Sequence, residues 1–193
     1  MTKKAYFVHG WEGNPKNAWF PWLKDKLEKE GFKVEAFAMP HPEEPTIKDW
    51  VGFLKDNIEN IDEETFFVGH SIGCQTIMRY LESLDENIKV GGVVFVGGWL
   101  NLLPEVLEDE EDKGVAQPWL EAPIDFDKIK KHCDKFVALF SDNDKYVPIS
   151  DSKVFEEKLG AKIIVEHEKG HFFDDPKMLE LESAFNSIME MVG

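Results

Sequence analysis

The chain has 193 residues, and its 38 acidic and 22 basic side chains leave a net charge of −16 at pH 7. That length suits a single domain, and a 42% hydrophobic, 12% aromatic composition can fill its core. So large a negative charge repels phosphate backbones and anionic lipid surfaces, which disfavours nucleic acid and membrane as partners. Cys74 and Cys133 are the only cysteines, with neither CxxC spacing nor a disulfide framework. No apolar run approaches the ~18 residues of a membrane span, and the run near Met1 is too short for a signal peptide. The expectation is a soluble cytoplasmic protein with two buried thiols.

Ala5 to Val8 reads as a buried strand that empties into the loop His9-Gly10-Trp11-Glu12-Gly13-Asn14-Pro15. A helix follows from about Pro21, with Phe20, Leu23 and Leu27 on one face, and stops at Gly31. Lys33 to Phe37 resembles a second strand. Prolines 40, 42 and 45 make the next connection irregular, because they remove ladder donors. Thr46 with Asp49 resembles a capping box. From there Ile47, Trp50, Val51, Leu54, Ile58 and Ile61 make an apolar stripe at helical spacing. Thr65 to Val68 is a third strand, entering a helix that carries Ile77, Tyr80, Leu81 and Leu84.

Gly91 to Gly98 forms a fourth strand, wholly apolar and so expected to be buried on both faces. Between Trp99 and Pro123 the alternation breaks into an acidic tract, Glu105 to Asp112, read as an inserted loop or small lid at 99–123. A short helix over Phe126 to Cys133, a fifth strand over Phe136 to Phe140, a helix from Ser152 to Leu159 and a sixth strand over Lys162 to Val165 follow. A last helix starts at Pro176, capped by Asp175, with Met178, Leu181, Phe185, Ile188 and Val192 inward. Apolar strands alternating with amphipathic helices specify an α/β fold, a three-layer α/β/α sandwich with about six mostly parallel strands in one domain over 1–193.

The chemistry concentrates after strands. Gly69-His70-Ser71-Ile72-Gly73 stands between the third strand and its helix, the layout of a nucleophile elbow with Ser71 at the apex. A Cβ at 69 or 73 would clash where strand and helix close together. Such a string arises by chance about 0.07 times in a chain this long, so it needs partners before it identifies a chemistry. A serine hydroxyl needs an imidazole to take its proton and a carboxylate to fix that imidazole's tautomer. His171, in Gly170-His171-Phe172 after the last strand, is placed as the base. Asp142 or Asp144, after the fifth strand, supplies the acid. The order Ser, Asp, His is that of α/β-hydrolases.

The backbone N–H groups of Trp11 and Ile72 are the expected oxyanion donors. His9 reads as loop-stabilising, and Trp11, Trp99, Trp119 and Phe172 could line a substrate pocket. His167-Glu168-Lys169-Gly170-His171 also matches the zinc-peptidase string H-E-x-x-H. That string works only on a helix, and here it follows a β-branched strand and contains a glycine, so no metal is expected.

With these residues in place, the chain resembles the YdeN-like small serine hydrolases, the family of retinoblastoma-binding protein 9, within the α/β-hydrolase superfamily. The similarity runs over nearly the whole length. It includes His9-Gly10-Trp11, Met39-Pro40-His41-Pro42, the elbow with Met78-Arg79-Tyr80, Gln117-Pro118-Trp119, Ile129-Lys130 to Cys133, Asp144 to Pro148 and Gly170-His171-Phe172. The resemblance implies a minimal α/β-hydrolase fold. It places the catalytic serine on Ser71, the acid on Asp144, three residues before Val147, and the base on His171. The implied activity is cofactor-independent cleavage of small carboxylic esters, with thioesters or amides as further substrates. The rival is a non-catalytic interaction domain of hydrolase ancestry. A Leu-x-Cys-x-Glu motif is absent, so a pocket-protein partner does not carry over.

Overall fold

The computed structural model describes residues 2–173 and 178–193. Six strands, β1 (Lys4–Val8), β2 (Lys33–Phe37), β3 (Thr65–His70), β4 (Gly92–Val96), β5 (Phe136–Ser141) and β6 (Lys162–Glu166), form one sheet. Its order is β2-β1-β3-β4-β5-β6, and every neighbouring pair is parallel. Every residue of β3, β4 and β5 is buried, because helices cover both faces of a parallel sheet. The edge strand β2 instead exposes Lys33 and Glu35.

The helices are α1 (Phe20–Lys29), α2 (Ile47–Asn57), α3 (Ile72–Glu82), α4 (Glu110–Glu121), α5 (Phe126–His132), α6 (Asp151–Leu159) and α7 (Glu182–Val192). Alternation along the strands sends Phe66, Val68, Val94 and Val96 to a core shared with α1 and α7, and Phe67, Val93 and Phe95 to one shared with α2, α3, α5 and α6. This is the expected three-layer α/β/α sandwich. Local signals hold where they were strong. Thr46 Oγ1 accepts from the Asp49 amide at 3.1 Å to start α2, and Gly160, at φ 67°, ends α6.

Two boundaries differ from expectation. α2 stops at Asn57, and Ile58 and Ile61 reach the same core from extended or loop backbone. α7 starts at Glu182, six residues after the expected Pro176, because Leu181 has non-helical backbone (φ −139°, ψ 77°) while still buried. The apolar spacing there is satisfied without helical backbone. The expected cap Asp175 and start Pro176 lie outside the described residues.

The 99–123 segment is ordered rather than a plain loop. A 3-10 turn over Pro104–Leu107 precedes α4, whose N-cap Asp109 accepts from the Glu111 and Asp112 amides. Three acidic residues in its first turn favour the positive end of the helix dipole. α4 buries only Ala116 and Trp119, so it has no long apolar stripe to announce it. The ends of the 99–123 segment are tied to the sandwich. Asp151 accepts from the Leu100 and Asn101 amides at 2.6 and 2.8 Å, and Gln75 donates to the Trp99 carbonyl. The buried Arg79 guanidinium donates to the carbonyls of Trp119, Ala122 and Pro123, at the negative end of α4.

Because β1 lies between β2 and β3, the chain builds outward from it in both directions. The loops at the carboxyl ends of β1 and β3 diverge, opening a crevice of the kind where parallel sheets place their sites.

Candidate active site

Ser71 joins β3 to α3 with φ 53° and ψ −123°, a backbone conformation that costs an L-residue on the order of 1–3 kcal/mol. The surroundings hold it there. The Ser71 amide donates to the Val96 carbonyl of β4 at 2.9 Å, and the Cys74 amide donates to the Ser71 carbonyl at 3.0 Å. Both flanking glycines are required by close approach. A Cβ on Gly73 would stand 2.4 Å from the Val8 carbonyl oxygen, and one on Gly69 would stand 2.9 Å from the backbone of Cys74. Ser71, 9% exposed, opens into a cavity of about 410 Å³.

His171 lines the same cavity, brought by the loop after β6. Its Nδ1 lies 2.8 Å from Asp144 Oδ2, with side chains only 10% and 4% exposed. The other Asp144 oxygen accepts from the amides of Tyr146 and Val147 at 2.8 and 3.1 Å, which fixes the carboxylate plane. Asp142 points elsewhere. It meets His167 Nδ1 at 2.5 Å and the Glu168 amide at 2.9 Å, and these two hydrogen bonds hold its carboxyl below the usual range. The structure therefore places Asp144, and not Asp142, beside His171.

The H-E-x-x-H string does not fall on a helix. Residues 167–171 form bends and a turn rather than a helix, and the two histidines face different aspartates. Among the described residues, no group of three or more His, Cys, Asp or Glu side chains is arranged to hold a metal.

Trp11 and Ile72 line the cavity with Ser71. Neither backbone N–H donates to a backbone carbonyl among the described residues; Ile72, as the first residue of α3, has no intrahelical partner. His9 is buried, with Nδ1–H donating to the Gly10 carbonyl at 2.7 Å and Nε2 accepting from the Met39 amide at 3.1 Å. Burial lowers its pKa, so the ring is a neutral loop brace. Cys74 and Cys133 are buried free thiols, and desolvation pushes Cys133 up to about 12.

Of the expected pocket residues, Trp11 and Trp99 line the cavity and two do not. Trp119 is buried under α4, where its indole N–H donates to the Pro45 carbonyl. Phe172 is fully buried in the core shared with α1 and α7. Its φ of 60° turns the chain, so the neighbouring Phe173 lines the cavity instead. Sequence reasoning also missed Glu12, Leu102, Val106, Asp112 and Tyr146. Tyr146 carried a signal, standing two residues after Asp144, with its ring 5.1 Å from that of His171. Leu102 and Val106 did not, because nothing local shows which way an insertion folds back.

Known proteins resemble this chain in sequence and fold. YdeN of Bacillus subtilis (strain 168) is 31% identical over 186 residues, covering 96% of this chain and 94% of its own. The crystal structure of the ydeN gene product superposes with a TM-score of 0.89 at 29% identity, covering 99% of each chain. The serine hydrolase RBBP9 of Rattus norvegicus is 28% identical over 172 residues, 88% of this chain and 87% of its own. Est1E of Butyrivibrio proteoclasticus shares the fold at 14% identity and a TM-score of 0.72, covering 98% of this chain and 88% of its own. Residues 5–189 match the serine hydrolase family, and the chain belongs to that family.

Proposed function

We propose that the protein hydrolyses small carboxylic esters, and by the same route thioesters or amides, through an acyl-enzyme on Ser71. The observation that carries this reading is the buried 2.8 Å contact between His171 Nδ1 and Asp144, in the cavity that Ser71 opens into. With Nδ1–H donating to the carboxylate, the neutral tautomer leaves Nε2 as the proton acceptor. Ser71 Oγ attacks the acyl carbon while its proton passes to His171 Nε2. The carbonyl oxygen gathers negative charge against the Trp11 and Ile72 N–H groups. His171 then protonates the leaving alkoxide, the C–O bond breaks, and the acyl group remains on Ser71. Water repeats the sequence, releasing the carboxylic acid. The cycle uses only the chain's own residues and water.

A cavity of about 410 Å³ suits a small acyl group, and its apolar walls, Trp99, Leu102, Val106 and Phe173, favour an apolar one. The carboxylates of Glu12 and Asp112 disfavour an anionic substrate. A fluorophosphonate probe tests the reading. Ser71 is expected to label, and Ser71→Ala or His171→Ala to lower p-nitrophenyl ester turnover by about 10⁴–10⁶-fold. A folded protein that never labels, or a Ser71→Ala variant that still does, refutes it.

A further inference from the structure

The His171 loop is held from two sides, and Asp144 is only one of them. His70, the last residue of β3 and the neighbour of Ser71, is 3% exposed, and its Nε2 lies 2.8 Å from the backbone carbonyl oxygen of His171. A carbonyl only accepts, so Nε2 carries the hydrogen and donates. The next carbonyl along, that of Phe172, accepts the indole N–H of Trp19 at 3.0 Å. The two donors brace each other, with the Trp19 ring edge-on to the His70 ring at 6.2 Å and 85°. On its other sides the His70 ring stacks on Phe173 at 5.4 Å and lies 4.9 Å from the ring of His171.

The imidazole is an expensive choice for this position. Burial, followed by the nearby His171, pushes His70 down to about 3, so it is neutral and its Nδ1 is a bare acceptor. That nitrogen has no partner among the described residues, and Gly10 packs so closely that a Cβ there would stand 2.8 Å from it. A phenylalanine would fill the same space without a buried unpaired nitrogen. What histidine adds over phenylalanine is the Nε2–H.

We propose that His70 is a positioning residue, whose Nε2–H, with the Trp19 indole N–H on the following carbonyl, fixes the backbone that carries His171 so that its imidazole keeps its place relative to Ser71 through both proton transfers. The inference rests on the Ser71–His171 reading above and adds to it a reason for the base to be referenced to the nucleophile's own strand. Asp144 fixes the ring and its tautomer; His70 and Trp19 fix the main chain beneath it.

The test compares p-nitrophenyl ester kinetics and fluorophosphonate labelling rates of wild type, His70→Phe, His70→Gln and Trp19→Phe. A displacement on the order of 1 Å at a reacting group can cost ~10²-fold. His70→Phe is therefore expected to lower kcat and the labelling rate by about 10- to 100-fold with KM unchanged within about twofold. His70→Gln, which keeps a donor, recovers at least about threefold of that loss, and Trp19→Phe shows a smaller loss in kcat alone. Retention of kcat within twofold in His70→Phe, equal losses in His70→Phe and His70→Gln, or a change confined to KM would overturn the proposal. Should His70→Phe fail to fold, Trp19→Phe decides: a kcat loss at constant KM supports the clamp and an unchanged kcat overturns it. An unlabelled wild type would remove the Ser71 reading and this one together, whereas a labelled wild type with unaffected variants removes this one alone.

Discussion

Two aspartate–histidine pairs sit on the same two loops, two residues apart on one and four on the other, and they differ in nearly everything but composition. Asp142–His167 and Asp144–His171 have contact distances of 2.5 and 2.8 Å, so distance does not separate them. Surroundings do. The first pair is 42% and 78% exposed and ties two loops together through the Glu168 amide. The second is shielded from water, with Tyr146 against the imidazole, two amides on the rear carboxylate oxygen and the Ser71 cavity in front. A water-exposed pair of polar side chains gains little stability. A shielded pair holds its tautomer, and a fixed tautomer is what base catalysis requires.

The largest effect should fall on the shielded pair. Asp144→Asn is expected to lower kcat for p-nitrophenyl esters by about 10³–10⁴-fold, or ~4–5.5 kcal/mol, by reversing the hydrogen-bond preference at Nδ1. A larger loss in Asp142→Asn than in Asp144→Asn would reverse the comparison.

A third histidine extends the comparison to pH. His70 titrates near the ordinary value of 6.5 when unfolded and near about 3 when folded, so below pH 6.5 the unfolded chain takes up a proton that the native state refuses. Stability therefore falls with acidification across this window, by up to ~1.4 kcal/mol per pH unit from this group. Urea unfolding at pH 7, 6 and 5 should show a shallower loss in His70→Phe than in wild type. Identical slopes would mean that His70 is not the neutral, desolvated ring described above.

Tyr146→Ala admits water to the Asp144–His171 pair and is expected to lower kcat/KM about tenfold. Unchanged kinetics would show that Tyr146 does not matter to the pair's shielding. The smallest effects belong to the exposed pair. Asp142→Asn and His167→Gln should leave kcat within about twofold and lower Tm by less than about 2 °C. A kcat loss beyond tenfold in either would give the exposed pair a part in the chemistry.

Much of this was legible in the residue string because it depends on local physics. The continuous apolar run of β4 reported burial on both faces. Thr46 and Gly160 marked helix ends by the hydrogen bond and the positive φ that those residue types supply. Gly69 and Gly73 announced close approach because no other residue lacks a Cβ. Strand-end placement was enough to nominate Ser71 and His171, since a parallel sheet gathers its strand ends along one edge. It could not choose between Asp142 and Asp144, which took the family resemblance in the sequence and the observed contact in the structure.

The tertiary structure decided what depends on direction. Helix α4 formed on a capped acidic turn with two buried residues, so its order comes from Arg79 and Trp119 rather than from an apolar stripe. Leu181 reached the core from non-helical backbone, which moved the start of α7 without disturbing the spacing that suggested an earlier one. A single positive φ at Phe172 exchanged two adjacent phenylalanines between core and cavity. Residue identity and spacing thus determined which side chains could do the chemistry. Which of two similar aspartates faces His171, and which aromatics face the cavity, was decided by how the loops turn, because contacts between distant segments leave no period in the sequence.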